Sequence, residues 1–126
     1  MNVLVDTSVW VDHFRRANAA LGHLLAQDRA WVHPMVCAEL ACGTPPAPRA
    51  KTLGDIALLG SIQQATLDEV CAFIERERLY GLGCGLVDLV LLCSALITPN
   101  TKLWTTDKSL HELARRFDVA YAPAHQ

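Results

Sequence analysis

NVLVDTSVW, residues 2–10, joins a short apolar run to an acid, two hydroxyl residues and a second apolar run. NVLV, residues 2–5, reads as a short buried strand. Asp6, Thr7 or Ser8 then caps a helix through about Arg16, with Val9, Trp10, His13, Phe14 and Ala17 at helical spacing. A strand feeding directly into a helix is the opening of an α/β fold. Burying the Asp6 carboxylate among such neighbours costs several kcal/mol unless something pairs with it.

The same alternation continues outward from this stretch. A second short helix covers Ala19 to Ala26, and AWVH, residues 30–33, reads as another strand. Pro34 suits a helix's first turn and Gly43 its stop, so PMVCAELACG is a short helix bracketed by both signals. TPPAPR, residues 44–49, is a loop, followed by a helix from about Lys51 to Leu59. Thr66 to Leu79 forms an amphipathic helix. Leu67, Val70, Cys71, Ile74 and Leu79 lie on one face, and Asp68, Glu69, Glu75, Arg76 and Glu77 mostly on the other. GLGCG breaks the chain at residues 81–85. LVDLVLLCSALI, residues 86–97, is apolar almost all round, as a helix buried in the core must be. KLWTT, residues 102–106, is a strand, Ser109 with Glu112 matches a capping box, and a last helix runs to about Phe117. VAY, residues 119–121, closes with a final short strand. Strands alternating with helices imply a single α/β domain over residues 1–126, a short parallel sheet covered by helices on both faces.

A chain of 126 residues, 52% hydrophobic and 19% charged, carries enough apolar surface for a packed core without disulfides. Its five cysteines form no C-x-x-C and read as reduced core thiols. The five histidines are scattered, without H-E-x-x-H, and read as structural or surface residues. The longest unbroken apolar stretch, Leu89 to Cys93, is far below the roughly 20 residues of a membrane helix. No leader pattern opens the chain, so the expected location is the cytoplasm. A formal charge of −2 argues against generic nucleic-acid affinity, unless several acids share one pocket with a bound cation.

In open α/β sheets, sites form outside the carboxyl ends of the strands. Asp6 follows the first strand and Asp107 follows KLWTT; Glu39 and Asp88 lie on helices expected to pack there. Each acid alone has a structural reading. Asp6 or Asp107 can cap a helix, Glu39 can pair with an arginine, and Asp88 can complement a helix dipole. Together they offer hard oxygen ligands, and a divalent cation such as Mg²⁺ or Mn²⁺ relieves their mutual repulsion.

These motifs, in this order, resemble the PIN-domain ribonucleases, specifically the VapC-type toxins of bacterial toxin–antitoxin pairs. LVDTSVWVDHF is similar to their opening strand with its first aspartate, and VCAELACG to their E-L-x-x-G segment. GLGCGLVDLVLL resembles their Gly-rich turn leading to the third acid, and LWTTDKSLHELA their T-x-D segment with the fourth. The resemblance makes Asp6, Glu39, Asp88 and Asp107 the catalytic acids, with Asp6 and Asp88 the metal ligands. Thr105 matches the threonine of T-x-D, and Ser8 the hydroxyl near the first acid. It implies Mg²⁺- or Mn²⁺-dependent hydrolysis of RNA phosphodiesters, a homodimer, and a cognate VapB-type antitoxin. Arg49, Lys51 and Lys108 are candidates to hold the RNA backbone. Cys84 inside the Gly-rich turn departs from the family's usual residue but touches no ligand position.

Three other readings compete. A receiver-type signalling domain needs paired acids after the first strand, which Asp6 lacks. A D-x-D phosphatase fails because Thr7 and Ser8 follow Asp6. An inactive PIN-fold binding module retains the fold without the chemistry.

Overall fold

The computed structural model describes residues 1–123; position 125, one of the five histidines, and the expected domain end at 126 lie outside them. The order is β1 (Asn2–Val5), α1 (Thr7–Arg15), α2 (Ala19–Ala26), β2 (Ala30–Val32), α3 (Pro34–Cys42), α4 (Arg49–Ala57), β3 (Gly60–Ser61), α5 (Leu67–Glu77), α6 (Leu86–Ile97), β4 (Thr101–Trp104) and α7 (Lys108–Arg116). The four strands form one parallel sheet in the order β3-β2-β1-β4. Val3, Leu4 and Val5 are all fully buried although successive side chains point to opposite faces, so both faces of β1 are covered. Nothing in this architecture departs from the expected single α/β domain.

The chain moves outward from β1 to β2 and β3, then crosses back through α5 and α6 to place β4 on the other side of β1. The winding therefore reverses between β1 and β4, and a crevice opens at the carboxyl ends of those two strands. Their register, Val5 beside Trp104, sets Asp6 next to Thr105 just beyond the sheet. Seven consecutive residues of α6, Leu89 to Ala95, are buried. Such all-round burial requires a helix enclosed by its neighbours, and α6 sits between α5, α7 and β4.

Four sequence expectations need correction. The helix after β4 is capped by Asp107, whose Oδ1 accepts the Leu110 N–H at 3.0 Å, and Ser109 lies inside the helix. Asp107 wins because it stands where the chain is still extended, as an N-cap must. The capping box is instead at α5, where Thr66 and Glu69 exchange hydrogen bonds of 3.1 and 2.8 Å. On that helix Phe73 is buried while Leu67 is 60% exposed and Cys71 also faces solvent. The buried face centres on Val70 and Phe73, with Ile74 at its edge, because Phe73 packs on Phe117 from beyond the helix. Of the five cysteines only Cys93 is buried, and Cys42 is exposed with Cys71. Finally, VAY adds a single bridge between Ala120 and Leu103 and no strand, while Gly60–Ser61, without any apolar period, pairs with the edge of β2.

Among the four histidines the structure describes, His33 is buried and structural. Its Nδ1 accepts the Met35 N–H at 3.0 Å and caps α3, and burial holds its pKa below the usual value.

Leu4→Ala should cost about 2–5 kcal/mol, because its cavity opens in a covered central strand. Leu67→Ala should stay within about 0.5 kcal/mol of the parent. Urea denaturation of both variants separates the two positions. Equal losses would place Leu67 in the core after all.

Candidate active site

At the switch point, the extended backbone of Asp6 ends β1 and begins α1. Its carboxylate is 6% exposed and takes three hydrogen bonds. Oδ1 accepts the Thr7 N–H at 2.8 Å; Oδ2 accepts the hydroxyls of Ser8 at 2.8 Å and Thr105 at 2.7 Å. Both hydroxyl protons are committed to Asp6, so the 3.4 Å approach of Ser8 Oγ to Thr105 Oγ1 adds no bond between them. The two hydroxyls also tie in the loop after β4: Ser8 Oγ accepts the Thr106 N–H at 3.1 Å and Thr105 Oγ1 the Asp107 N–H at 3.0 Å. An N-cap side chain normally bonds the second or third helical N–H. Asp6 reaches only the first, because its other oxygen is held toward β4.

The other three acids arrive from three further elements. Glu39, exposed on α3, accepts the Thr7 hydroxyl on Oε1 at 2.6 Å, and no arginine pairs with it among the described residues. Asp88, half-buried in the first turn of α6, accepts the Gly85 N–H on Oδ2 at 3.3 Å. Asp107 caps α7 through Oδ1. Glu39, Asp88 and Asp107 are each held by one carboxylate oxygen, and the second makes no hydrogen bond among the described residues. Asp6, with about four acceptor positions on its carboxylate, keeps one on Oδ1.

Electrostatics joins the four. Burial raises the pKa of Asp88 above its ordinary 3.8, and the charges of Asp6, Asp107 and Glu39 raise it further, against the lowering by the Gly85 N–H. Burial, then the charges of Asp88 and Asp107, push the Cys84 thiol up to about 11. Cys84 is therefore a neutral thiol at neutral pH, unsuited to nucleophilic or metal-binding work. The four acids share one field.

Among the described residues, no three His, Cys, Asp or Glu side chains stand close enough to grip a metal ion directly as they are. The donor set nevertheless fits a hard divalent cation. It is all oxygen, three of its carboxylates each have a free oxygen, and its charges repel one another. Mg²⁺ keeps several of its waters, so such a pocket can hold it partly through water.

Two of the three expected RNA-holding cations are engaged elsewhere. Arg49 donates to the carbonyls of Gly43 and Ala41 at the end of α3, and Lys51 pairs with Asp55 at 2.8 Å. Lys108 remains, beside Thr105 and Thr106. Sequence reasoning missed Thr7. A hydroxyl after the first acid was a signal, but its partner lies 32 residues away and only the fold brings it near.

The PIN domain model matches residues 3–116, and the chain belongs to the PIN-domain family. Within that family it is similar to the VapC type. It is 42% identical over 120 residues to Ribonuclease VapC32 of Mycobacterium tuberculosis, in both strain CDC 1551 and strain H37Rv, covering 95% of this chain and 96% of the relative.

The raised pKa of Asp88 has a definite sign in stability. Its carboxyl binds a proton more tightly folded than unfolded, so the folded state is penalised as pH rises above the ordinary carboxylate range through the folded value. In EDTA at pH 7, Asp88→Asn should melt no lower than the parent. Its advantage should vanish as pH falls below about 4, where both states are protonated. A mutant that melts well below the parent at pH 7 would show that Asp88 serves the helix and not the pocket.

Proposed function

We propose that this protein is an endoribonuclease, the toxin of a type II toxin–antitoxin pair, hydrolysing RNA phosphodiester bonds in the cytoplasm. The observation that carries this reading is the convergence of Asp6, Glu39 and Asp107 on Asp88, from four elements, at the switch point of a PIN fold. The named activity of the VapC32 relatives supports it.

Asp6, Glu39, Asp88 and Asp107 are the catalytic acids, with Asp6 and Asp88 binding Mg²⁺ or Mn²⁺. Such a cation, when bound, would screen the phosphate charge and lower the pKa of a water. The chain's own residues do the positioning. Ser8 and Thr105 fix the orientation of the Asp6 carboxylate, since both hydroxyls donate to its Oδ2. Thr7 holds Glu39 by one oxygen, leaving Oε2 to accept a proton from an attacking water. Asp107 presents Oδ2 in the same way while its other oxygen caps α7. Setting these four acids aside leaves nine acidic against eleven basic residues, so the remaining surface tolerates a polyanion.

The partners in this reading are the RNA, a VapB-type antitoxin and a second copy of the chain. Exposed Leu67, Tyr80, Leu82 and Leu86, on α5 and the turn into α6, supply apolar surface for a homodimer. No helix of the described residues is long and apolar enough to cross a membrane.

With Mg²⁺, the purified protein should cut RNA, and EDTA should stop it. Asp6→Asn and Asp88→Asn should each abolish cleavage. Mg²⁺ at about 100 times its Kd should add about 2.7 kcal/mol to stability. A folded protein that leaves RNA intact in Mg²⁺ and Mn²⁺ would favour the inactive binding module. Light scattering at high micromolar concentration should give twice the chain mass, and a monomer there would remove the homodimer.

A further inference from the structure

A groove of about 530 Å³ opens beside Glu39, between one face of α1 and the C-terminal end of α3 with the loop that follows. Thr7, Val11 and Arg15 line it from α1, four residues apart, so they form one continuous edge about 12 Å long at the helical rise. Glu39, Thr44 and Pro46 line it from the other side. One end is anchored in the acidic pocket, because the Thr7 hydroxyl that lines the groove is the group bonded to Glu39. At the other end stands Arg15. It is exposed, and among the described residues it enters no ion pair and no side-chain hydrogen bond. Arg49, Lys51, Arg76, Arg115 and Arg116, by contrast, are all engaged.

We propose that this groove seats the single-stranded RNA flanking the scissile phosphate, with the Arg15 guanidinium on a backbone phosphate. The proposal rests on the nuclease reading and assigns its substrate path. A polyanion crossing a pocket of four carboxylates is repelled there and needs a cation at the exit, and Arg15 is the unpaired charge on that line. The guanidinium fork matches phosphate oxygens two at a time. Phe14, Val11 and Pro46 give the groove an apolar lining, and an aromatic ring takes base faces without selecting a sequence. Arg15 also lies in the last turn of α1, where any cation complements the helix dipole, but that role is indifferent to RNA.

The test uses the full chain carrying Asp88→Asn, which removes cleavage, and a fluorescein-labelled single-stranded RNA oligonucleotide. Binding is followed by anisotropy across a salt series, with cleavage by the unaltered chain in Mg²⁺ measured alongside. Adding Arg15→Glu should weaken binding at least tenfold and flatten the slope of log K against log salt by about 0.7, the value for one phosphate contact on a single strand. Arg15→Lys should keep most of that slope. Val11→Trp, which fills the groove without changing charge, should weaken binding and leave the slope unchanged. RNA binding indifferent to Arg15→Glu or to Val11→Trp, by a chain that cleaves RNA, overturns the groove alone and leaves it to a peptide. A chain that neither binds nor cleaves RNA removes this inference and the nuclease reading together.

Discussion

The Asp6 carboxylate, buried at the end of the central strand, is kept there by the hydroxyls of Ser8 and Thr105 on one oxygen. A buried carboxylate without such donors bears its full desolvation cost. The two hydroxyls also accept backbone N–H groups from Thr106 and Asp107, so the same groups that hold the Asp6 carboxylate fix the loop from β4 into α7. Asp107 is thereby placed, and Thr7, next in the chain, places Glu39 on α3. One carboxylate and three neighbouring hydroxyls thus link β1, α1, α3 and α7. Networks of this kind are stabilising only when every member is satisfied.

The opposite tendency comes from Asp88. It arrives on α6, a helix whose apolar packing against its neighbours fixes its position regardless of charge. The helix half-buries its single acid and brings it into a field already negative, and the pKa of Asp88 rises, first from burial and then from the neighbouring charges. Hydroxyls stabilise one acid while packing imposes another on it. The resulting repulsion is the physical reason a divalent cation suits the pocket, and it explains why the four carboxylates need not stand at bonding distance without one.

Much of this was legible in the sequence, for identifiable reasons. NVLVDTSVW states its strand, its cap and its helix locally, since period and capping chemistry act within a few residues. The all-apolar helix around Asp88 was equally plain. What stayed hidden depends on contacts distant in the chain. The Thr7–Glu39 bond and the Phe73–Phe117 packing are set by topology. At α7 the sequence offered two caps, and Asp107, still extended and accepting the Leu110 N–H, takes the role, while the Ser109–Glu112 pattern falls inside the helix. The order of the four acids and the motifs around them identified the family that the whole-chain comparison then showed.

In the proposed function, Asp6, Glu39, Asp88 and Asp107 share one electrostatic pocket whose repulsion a divalent cation relieves. Carbon-detected NMR titration of the Asp88 carboxyl in the metal-free protein tests it most directly. The expected result is a pKa above the ordinary carboxylate value, lowered by Asp6→Asn and again by added Mg²⁺. An ordinary pKa that ignores both the substitution and the metal would contradict it.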